Sequence, residues 1–460
     1  MSSDVSGRRV GFAAAFSRHV RWQRNLLRDA SDSGDLRQSV RFLILRPGDK
    51  LTVCHAKGMA DVRANCFRAA TPRTARPPGL HWDGFMVADR PHTTRPIPGL
   101  GNVALSLVAA AATAIVSQRV LLLENFSSPG ASFDGVMREL LVETSGWAPH
   151  LLAASRDGGG PSDGFAAHDD FSAFDTLCGA DLRIAPAARV WRLFSNQYFF
   201  PLLLLNPHHV KQVEALAEPL TPAARGGRAT GREGGGAGVS RPQPSLWTPA
   251  LRAMWRPAPR LAARIASFSQ REGLDAAPYV AMHVRVNFAD QRDGRRRLTG
   301  AVRCVRQRLA AVNASDVFVA TMYKANRVAL RAALGAHAIR VHWFGASVEA
   351  QGESSAAADS ALADMTLMGT ATEVLITPGS TFGYVAHGLG GARASTYGGT
   401  HTSRELVGPA AHDCSEIATS EPNFHFLKHA LRTYASCRVG AREARARGSE
   451  LYRRSAMQHR

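Results

Sequence analysis

A short run of small and polar residues, Ser380, Thr381, Phe382 and Gly383, comes soon after an apolar segment that ends at Ile376. This order predicts a strand, a loop and a helix whose first amides are exposed. Such amides bind anions, because they lack partners and the helix dipole is positive there. The loop has neither a Walker lysine nor the glycine spacing of a dinucleotide fingerprint, which disfavours an ATPase and an ordinary dinucleotide site. We expect Gly383 to be required because a side chain there would crowd the bound ligand.

A second chemical pattern lies near the end of the apolar run 279–286, where His283 and Arg285 occupy the same face of a predicted strand. An arginine at a strand end can bind two phosphate oxygens at once. The simpler interpretations are a structural ion pair for Arg285 and a core position for His283. No Asp-x-Asp sequence stands between the predicted strands, so we expect protein cations and amides, with no metal ion, to neutralise a phosphate ligand.

The elements that must position these residues are visible in the second half of the chain. Apolar runs predict strands at 279–286, 316–321, 339–344 and 374–376, and helical segments separate them at about 296–312, 325–336 and 359–371. Strands alternating with helices of this length predict an α/β fold with a parallel, doubly wound sheet. Ligands bind beyond the carboxyl ends of such strands, where Tyr323 and His342 would join Arg285 and Ser380.

Composition along the chain predicts four parts. Residues 1–97 are rich in Arg, Pro and Ser and are predicted to be a basic, poorly ordered leader. Residues 98–245 are predicted to be a first domain, ending in a Gly- and Arg-rich insert that cannot bury a core. Residues 246–437 are predicted to be the ligand-binding second domain. Residues 438–460 are predicted to be a basic, solvated tail.

The chain is strongly basic, with 56 Lys and Arg against 37 Asp and Glu and a net charge of +19. A nucleic-acid partner would suit this charge, but Ala, Gly and Arg are frequent throughout, and the basic C-terminal segment lacks the aromatic residues of a single-strand platform. We therefore predict no nucleic-acid partner. The six cysteines lack metal-binding spacing. Cys414 and Cys437 are one candidate disulfide pair, although connectivity does not follow from sequence.

No signal or membrane-spanning segment is visible in residues 1–98, where the best apolar run covers only residues 11–16. A spanning helix needs about 20 apolar residues. The later run 103–116 is apolar, but Ser106 and Thr113 interrupt it and Arg119 follows it. We predict that it forms a buried core helix.

Together these motifs resemble plant-type α-1,2-fucosyltransferases, the family that fucosylates cell-wall xyloglucan and arabinogalactan. The resemblance implies a GT-B pair of Rossmann-like domains, GDP-fucose as the donor, inversion at the anomeric carbon, and neither metal nor other cofactor. It keeps family order through Gly99-Leu100-Gly101-Asn102, residues 119–123, residues 195–202, His283-x-Arg285, residues 361–365, the loop 380–391 and residues 420–425.

The resemblance also implies residue roles. It implies that Gly101, Asn102 and His283 contact the donor, and that Arg285 is the catalytic cation on its diphosphate. Val103 stands where the family carries arginine, which removes one possible donor contact. Members of the family are membrane-anchored and act in the Golgi lumen, so a lumenal location is implied although no anchor is visible in this chain.

The resemblance implies that the first domain, residues 98–245, lies on the acceptor side, and fewer candidate residues are predicted there. Glu124, at the end of a predicted strand, is the candidate base for the acceptor hydroxyl, with a plain surface carboxylate as the alternative. Asn196 and Gln197 could bind acceptor hydroxyls or cap a turn, and Tyr198 could stack on a sugar or lie in the core. The expected acceptor is a galactoside of a polysaccharide or glycan. An α-1,6- or protein O-fucosyltransferase and a non-catalytic glycan-binding relative are the alternatives.

Overall fold

A computed structural model of the chain describes residues 11–33, 40–47, 99–124, 126, 130–142, 144–147, 151, 165–195, 197–220, 243–285, 287–290, 294–345, 355–377, 379–397, 414–417, 422, 427–449 and 451–452. This part of the chain contains a four-stranded and a six-stranded sheet, both mainly parallel, together with a two-stranded ribbon. Helices connect the strands of the two larger sheets. The α/β class predicted from the alternating pattern is therefore correct.

The first sheet is wholly parallel and has the strand order β2-β1-β4-β3. Its strands are β1 (Phe42–Pro47), β2 (Val120–Leu123), β3 (Phe165–Asp169) and β4 (Val190–Ser195). β1 lies between β2 and β4, so the prediction that residues 1–97 are only a poorly ordered leader is wrong. Phe42 and Leu45 are fully buried, because a strand inside a parallel sheet is covered on both faces.

The second sheet has the order β12-β11-β10-β7-β8-β9, with only β12 antiparallel to its neighbour. A ribbon of β5 (Glu218–Leu220) and β6 (Gln243–Ser245) precedes it in the chain. The chain builds outward from β7 to β9 and then crosses to β10 on the other side of β7, which is the strand order of a Rossmann sheet. Its strands are β7 (Val280–Val284), β8 (Asp316–Thr321), β9 (Arg340–His342), β10 (Glu373–Ile376), β11 (Arg393–Tyr397) and β12 (Cys414–Ile417).

The helices pack on and between the two sheets, and the predicted segments at 296–312, 325–336 and 359–371 correspond to three of them. In chain order they are α1 (Phe12–Ser33), α2 (Leu100–Ser117), α3 (Gly135–Glu139), α4 (Asp170–Gly179), α5 (Phe200–Leu203), α6 (Val210–Leu216), α7 (Trp247–Met254), α8 (Pro259–Glu272), α9 (Gly294–Val312), α10 (Lys324–Gly335), α11 (Ser355–Thr370), α12 (Thr381–Gly390), α13 (Leu427–Thr433) and α14 (Ala435–Ala446).

Helix α2 is the alanine-rich core helix that the sequence predicts. By length and hydropathy it is the one described helix that could cross a membrane, yet 83% of its apolar window is buried inside the protein. Ser106 and Thr113 are also buried, and their hydroxyls donate to carbonyls one turn earlier. This pairing satisfies polar groups that would otherwise be costly in a core.

The C-terminal helices return to the first domain. α14 packs against α4, and a disulfide joins Cys178 on α4 to Cys437 on α14. Tyr452, beyond α14, is also buried. A second disulfide joins Cys304 to Cys414. The prediction of a solvated tail is therefore wrong for the described residues 438–449 and 451–452, because the apolar face of α14 is buried against the first domain. The prediction of a Cys414–Cys437 pair is also wrong, because each of these cysteines has a different partner.

Candidate functional site

A crevice opens where the chain order of the second sheet reverses, between the carboxyl ends of β7 and β10. Thr377, after β10, ties the two strand ends together: its hydroxyl accepts from the Arg285 amide at 3.1 Å and donates to the His283 carbonyl at 2.9 Å. The Tyr397 hydroxyl donates to the same carbonyl at 2.9 Å. Ligands of open α/β sheets bind at this kind of reversal, so the crevice is the candidate site.

The start of α12 faces this crevice with free amides. Ser380 is the N-cap residue, but its side chain makes no capping hydrogen bond. The Tyr384 amide bonds back to the Ser380 carbonyl at 3.2 Å, whereas the first three amides of a helix, here those of Thr381, Phe382 and Gly383, have no intrahelical acceptor. The first turn carries no acidic residue. The predicted helix start is therefore present in the fold, and its binding of an anion stays a prediction.

The first domain meets this loop at Gly101, in the first turn of α2. A Cβ atom at Gly101 would lie 2.6 Å from the Phe382 nitrogen and 2.7 Å from the Thr381 hydroxyl oxygen. Only glycine allows so close an approach. The structure thus brings together two motifs that lie about 280 residues apart in sequence, and it places the half-buried Asn102 beside them. A donor contact for Asn102 stays a prediction.

His283 lies at the base of the crevice. Its ring stacks on Phe382 with centroids 4.9 Å apart, and its Nδ1 has no hydrogen-bond partner among the described residues. Burial lowers the pKa of the His283 imidazole to about 3, and the nearby charge of Arg285 acts in the same direction. The ring is therefore neutral at physiological pH and can offer one donor and one acceptor.

Arg285 follows β7 directly, and its side chain is exposed. Across the residues that the structure describes, no carboxylate lies within ion-pair distance of its guanidinium group. The alternative interpretation, a structural ion pair, thus finds no support in this part of the chain. An exposed guanidinium group beside the free amides of a helix start is suited to a phosphate ligand.

Gly383 is required for a different reason from the one predicted. A Cβ atom there would lie 2.7 Å from the Ile376 Cβ and 2.8 Å from its Cγ2. The space is therefore filled by the last residue of β10, and the expectation that a side chain would crowd the ligand is wrong. Glycine lets α12 pack closely on the strand that precedes it, which fixes the direction of the helix start.

Two more residues predicted on this sheet have different positions. Tyr323 precedes α10 at the carboxyl end of β8 and is half-buried, so its donor contact stays a prediction. His342 instead bonds through Nε2 to Asp316 at 2.7 Å and through Nδ1 to Glu272 at 3.0 Å. Asp316 begins β8. The His342 side chain is therefore directed away from the crevice, and its predicted donor contact is wrong.

On the first sheet, Glu124 follows β2 at the carboxyl end. Its Oε2 lies 3.1 Å from Arg192 Nε, and both side chains are largely buried. Gln197 is buried, and its backbone amide donates to the Ser195 hydroxyl at 3.1 Å. The roles proposed for Glu124 and Gln197 stay predictions.

The aromatic residue of the predicted acceptor site is a core residue. Tyr198 is fully buried, in edge contact with Trp247 at 5.3 Å and near Phe200 at 5.8 Å. A ring without an exposed face cannot stack on a sugar, so this interpretation is wrong. Asn196 lies outside the described residues.

The structure also draws attention to Asp364 on α11, which sequence reasoning named only within a motif. It is buried, and its Oδ1 has no hydrogen-bond partner in the described part of the chain. Burial raises the pKa of the Asp364 carboxyl group to about 8, although the charge of Arg327 acts in the opposite direction. Arg327 donates to the Thr321 carbonyl at the end of β8, which places the pair at the carboxyl side of the sheet. Only burial and the missing partner reveal Asp364, and neither is visible in sequence.

We expect Asp364 to make stability fall as the pH rises from about 4 to about 8. The pKa of its carboxyl group is raised from 3.8 to about 8 in the folded state, so between these values the native chain holds a proton that the unfolded chain has lost, and this favourable contribution falls progressively across that range. The slope is at most about 1.4 kcal/mol per pH unit. Urea denaturation of Asp364→Asn should show a flatter pH profile than the parent, whereas exposed Asp275→Asn should not. Equal slopes in all three proteins would contradict the assignment.

No group of three His, Cys, Asp or Glu side chains suited to a metal ion occurs among the residues described. Metal-free function stays a prediction. The groups that the crevice does offer to an anion are the Arg285 guanidinium and the amides of α12.

Comparison with known proteins adds evidence on the fold. No protein-family model and no curated protein sequence matches the chain. A mutant of Arabidopsis thaliana FUT1, solved in complex with GDP, matches 90% of this chain and 84% of its own, with 14% identity and a TM-score of 0.55. The fold is a GT-B pair of α/β domains, as the sequence resemblance implied. Fucosyltransferase NodZ from Bradyrhizobium matches 84% of this chain and 100% of its own, with 14% identity and a TM-score of 0.44.

Proposed function

We propose that this protein is a fucosyltransferase that uses GDP-fucose. The observation that carries the proposal is the convergence of Arg285, the free amides at the start of α12 and neutral His283 on one crevice. These groups suit a diphosphate that gains charge as it departs. Two facts give further support: the chain shares its fold with FUT1, which was solved with GDP bound, and its loop residues 380–391 resemble the donor loop of plant-type enzymes.

The chemistry is a single displacement with inversion. The acceptor hydroxyl oxygen forms a bond to the anomeric carbon of fucose while the bond from that carbon to the diphosphate oxygen breaks. The electron pair leaves with GDP, where Arg285 and the α12 amides stabilise the charge. The hydroxyl proton passes to a base, for which Glu124, in an ion pair with Arg192, is the candidate.

We propose an α-1,2 linkage to a galactoside of a polysaccharide or surface glycan, on the basis of the loop resemblance. The setting that suits the chain is the Golgi lumen. Two disulfides, Cys178–Cys437 and Cys304–Cys414, support an oxidising compartment. In addition, Asn313 begins the sequence Asn-Ala-Ser in an exposed turn after α9, where a glycan could be attached.

The experiment that tests this proposal is a transfer assay with labelled GDP-fucose and a panel of galactosides, with the product linkage determined by glycosidic-linkage analysis. GDP-mannose serves as the matched donor control. Transfer of fucose to the 2-position of galactose is the expected result. Transfer to another position would support the fucosyltransferase proposal and contradict the α-1,2 linkage. GDP binding without any transfer would favour a non-catalytic relative.

We expect transfer to survive exhaustive treatment with EDTA. The crevice supplies the charge of Arg285 and helix amides for the diphosphate, so no divalent ion is needed to balance the departing GDP. Initial rates before and after chelation, and after Mn²⁺ is added back, give the measurement. Activity that disappears with EDTA and returns with Mn²⁺ would contradict this mechanism.

A further inference from the structure

Helix α9 carries a row of arginines on its exposed side. Six arginines and no acidic residue occur in its 19 residues. At 3.6 residues per turn, the four exposed ones project within an arc of about 100°. We name this row the cationic stripe: Arg295, Arg296, Arg303 and Arg306. The other two lie elsewhere on the helix, Arg308 in an ion pair with Glu373 and Arg297 near Tyr397.

The cationic stripe is unfavourable for the helix itself. Like charges one or two turns apart repel each other, and cations in the first turn oppose the helix dipole. In the described part of the chain, Arg295, Arg296 and Arg306 have no carboxylate partner. Other helices differ, since Arg264 pairs with Asp359 and Arg447 with Glu443. The high arginine content of the whole chain therefore does not explain why α9 has six arginines and no acidic residue.

The stripe starts beside the candidate site. α9 begins nine residues after Arg285, and a Cβ atom at Gly294 would lie 1.6 Å from the Phe288 carbonyl oxygen, so the helix start is packed on the segment that leaves β7. Arg297, in the first turn, acts electrostatically on Tyr397, whose hydroxyl bonds to the His283 carbonyl. From there the stripe extends along the helix by about 1.5 Å per residue, away from the crevice.

We infer that the cationic stripe binds an anionic polysaccharide that carries carboxylate or sulfate groups, and that this is the class of acceptor delivered to the crevice. The inference rests on the proposed function. Two other side chains lie beside the arginines of the stripe, those of Thr299 and Gln307. Both are polar and exposed, as contacts to sugar hydroxyls require. A membrane surface fits poorly because the apolar face of α9 is buried in the second sheet's core, whereas helices that lie on membranes expose theirs.

The test compares two charge reversals of equal size and spacing. Arg296→Glu with Arg306→Glu changes the stripe, and Arg18→Glu with Arg28→Glu, also ten residues apart, changes the exposed side of α1. The probe is a fluorescent polygalacturonate oligosaccharide, with a neutral galactan oligosaccharide for comparison. The stripe variant should bind polygalacturonate about tenfold more weakly than the parent, and added salt should reduce this difference. The α1 variant should bind like the parent, and thermal unfolding checks that all proteins are folded.

A GDP titration of the same proteins separates the two proposals. Unchanged GDP affinity in the stripe variant together with weaker polygalacturonate binding supports the inference. Equal polygalacturonate affinity in the two variants would overturn it, as would a stripe that binds phosphatidylserine vesicles and not the glycan. A parent protein that binds no GDP would overturn the proposed function, and the glycan titration would still decide the role of the stripe.

Discussion

Arg285→Ala is expected to abolish fucosyl transfer and to weaken GDP binding by about 2 to 4 kcal/mol, the usual effect of removing one member of a desolvated charge pair. The reason is geometric: the Arg285 amide donates to the Thr377 hydroxyl at 3.1 Å, so the Arg285 backbone is fixed at the carboxyl end of β7, beside the crevice. Arg285→Lys should recover little activity, because an ammonium group cannot bind two phosphate oxygens side by side. Calorimetric titration with GDP measures the loss directly.

The matched control for this variant is Arg393→Ala. Arg393 begins β11 and is also exposed, but it lies at the amino end of the same sheet. Removing it changes the net charge equally and leaves the crevice intact, so GDP affinity should stay at the parent value. A folded Arg285→Ala protein with parent-like GDP affinity would remove Arg285 from the site.

The second sheet was predictable because its strands are apolar runs separated by helix-length segments. β7, β8 and β10 are fully buried, so each is a nearly continuous apolar run in sequence. β1 was missed because its short apolar stretch lies in Arg- and Pro-rich surroundings and pairs only with strands more than 70 residues away. The packing of α14 was missed for the same reason, since its partner α4 is distant in sequence.

Within the candidate site, local chemistry was predictable and side-chain direction was not. The pairing of Arg285 with the α12 start follows from strand ends, which a sequence reveals. The burial of Tyr198, the inward bonds of His342 and the contact of Gly383 with Ile376 depend on neighbours from other elements. All three residues were therefore interpreted as facing a ligand, whereas each of them contacts another part of the protein.

The contact between Gly383 and Ile376 also decides how the α12 amides should be tested, because any side chain at Gly383 would displace Ile376 and disturb the fold. Thr381→Pro avoids the problem. Proline at the first helical position removes an amide that has no intrahelical acceptor, and its fixed φ favours the helix. The preceding residue must be extended, and Ser380 already is, with φ −87° and ψ 112°. The substitution therefore deletes one donor at little cost to stability.

Thr381→Pro is expected to weaken GDP binding by about 1.5 to 3 kcal/mol, the worth of one hydrogen bond to a charged group. Thr381→Ala removes the hydroxyl and keeps the amide, so it should cost less, about 1 kcal/mol. Calorimetric titration with GDP measures both, and thermal unfolding should show Thr381→Pro to be at least as stable as Thr381→Ala. If the two folded variants bind GDP equally well, the Thr381 amide does not contact the phosphates. The fucosyltransferase proposal then loses the Thr381 amide as a phosphate contact, and only Arg285 and the amides of Phe382 and Gly383 remain to hold the diphosphate.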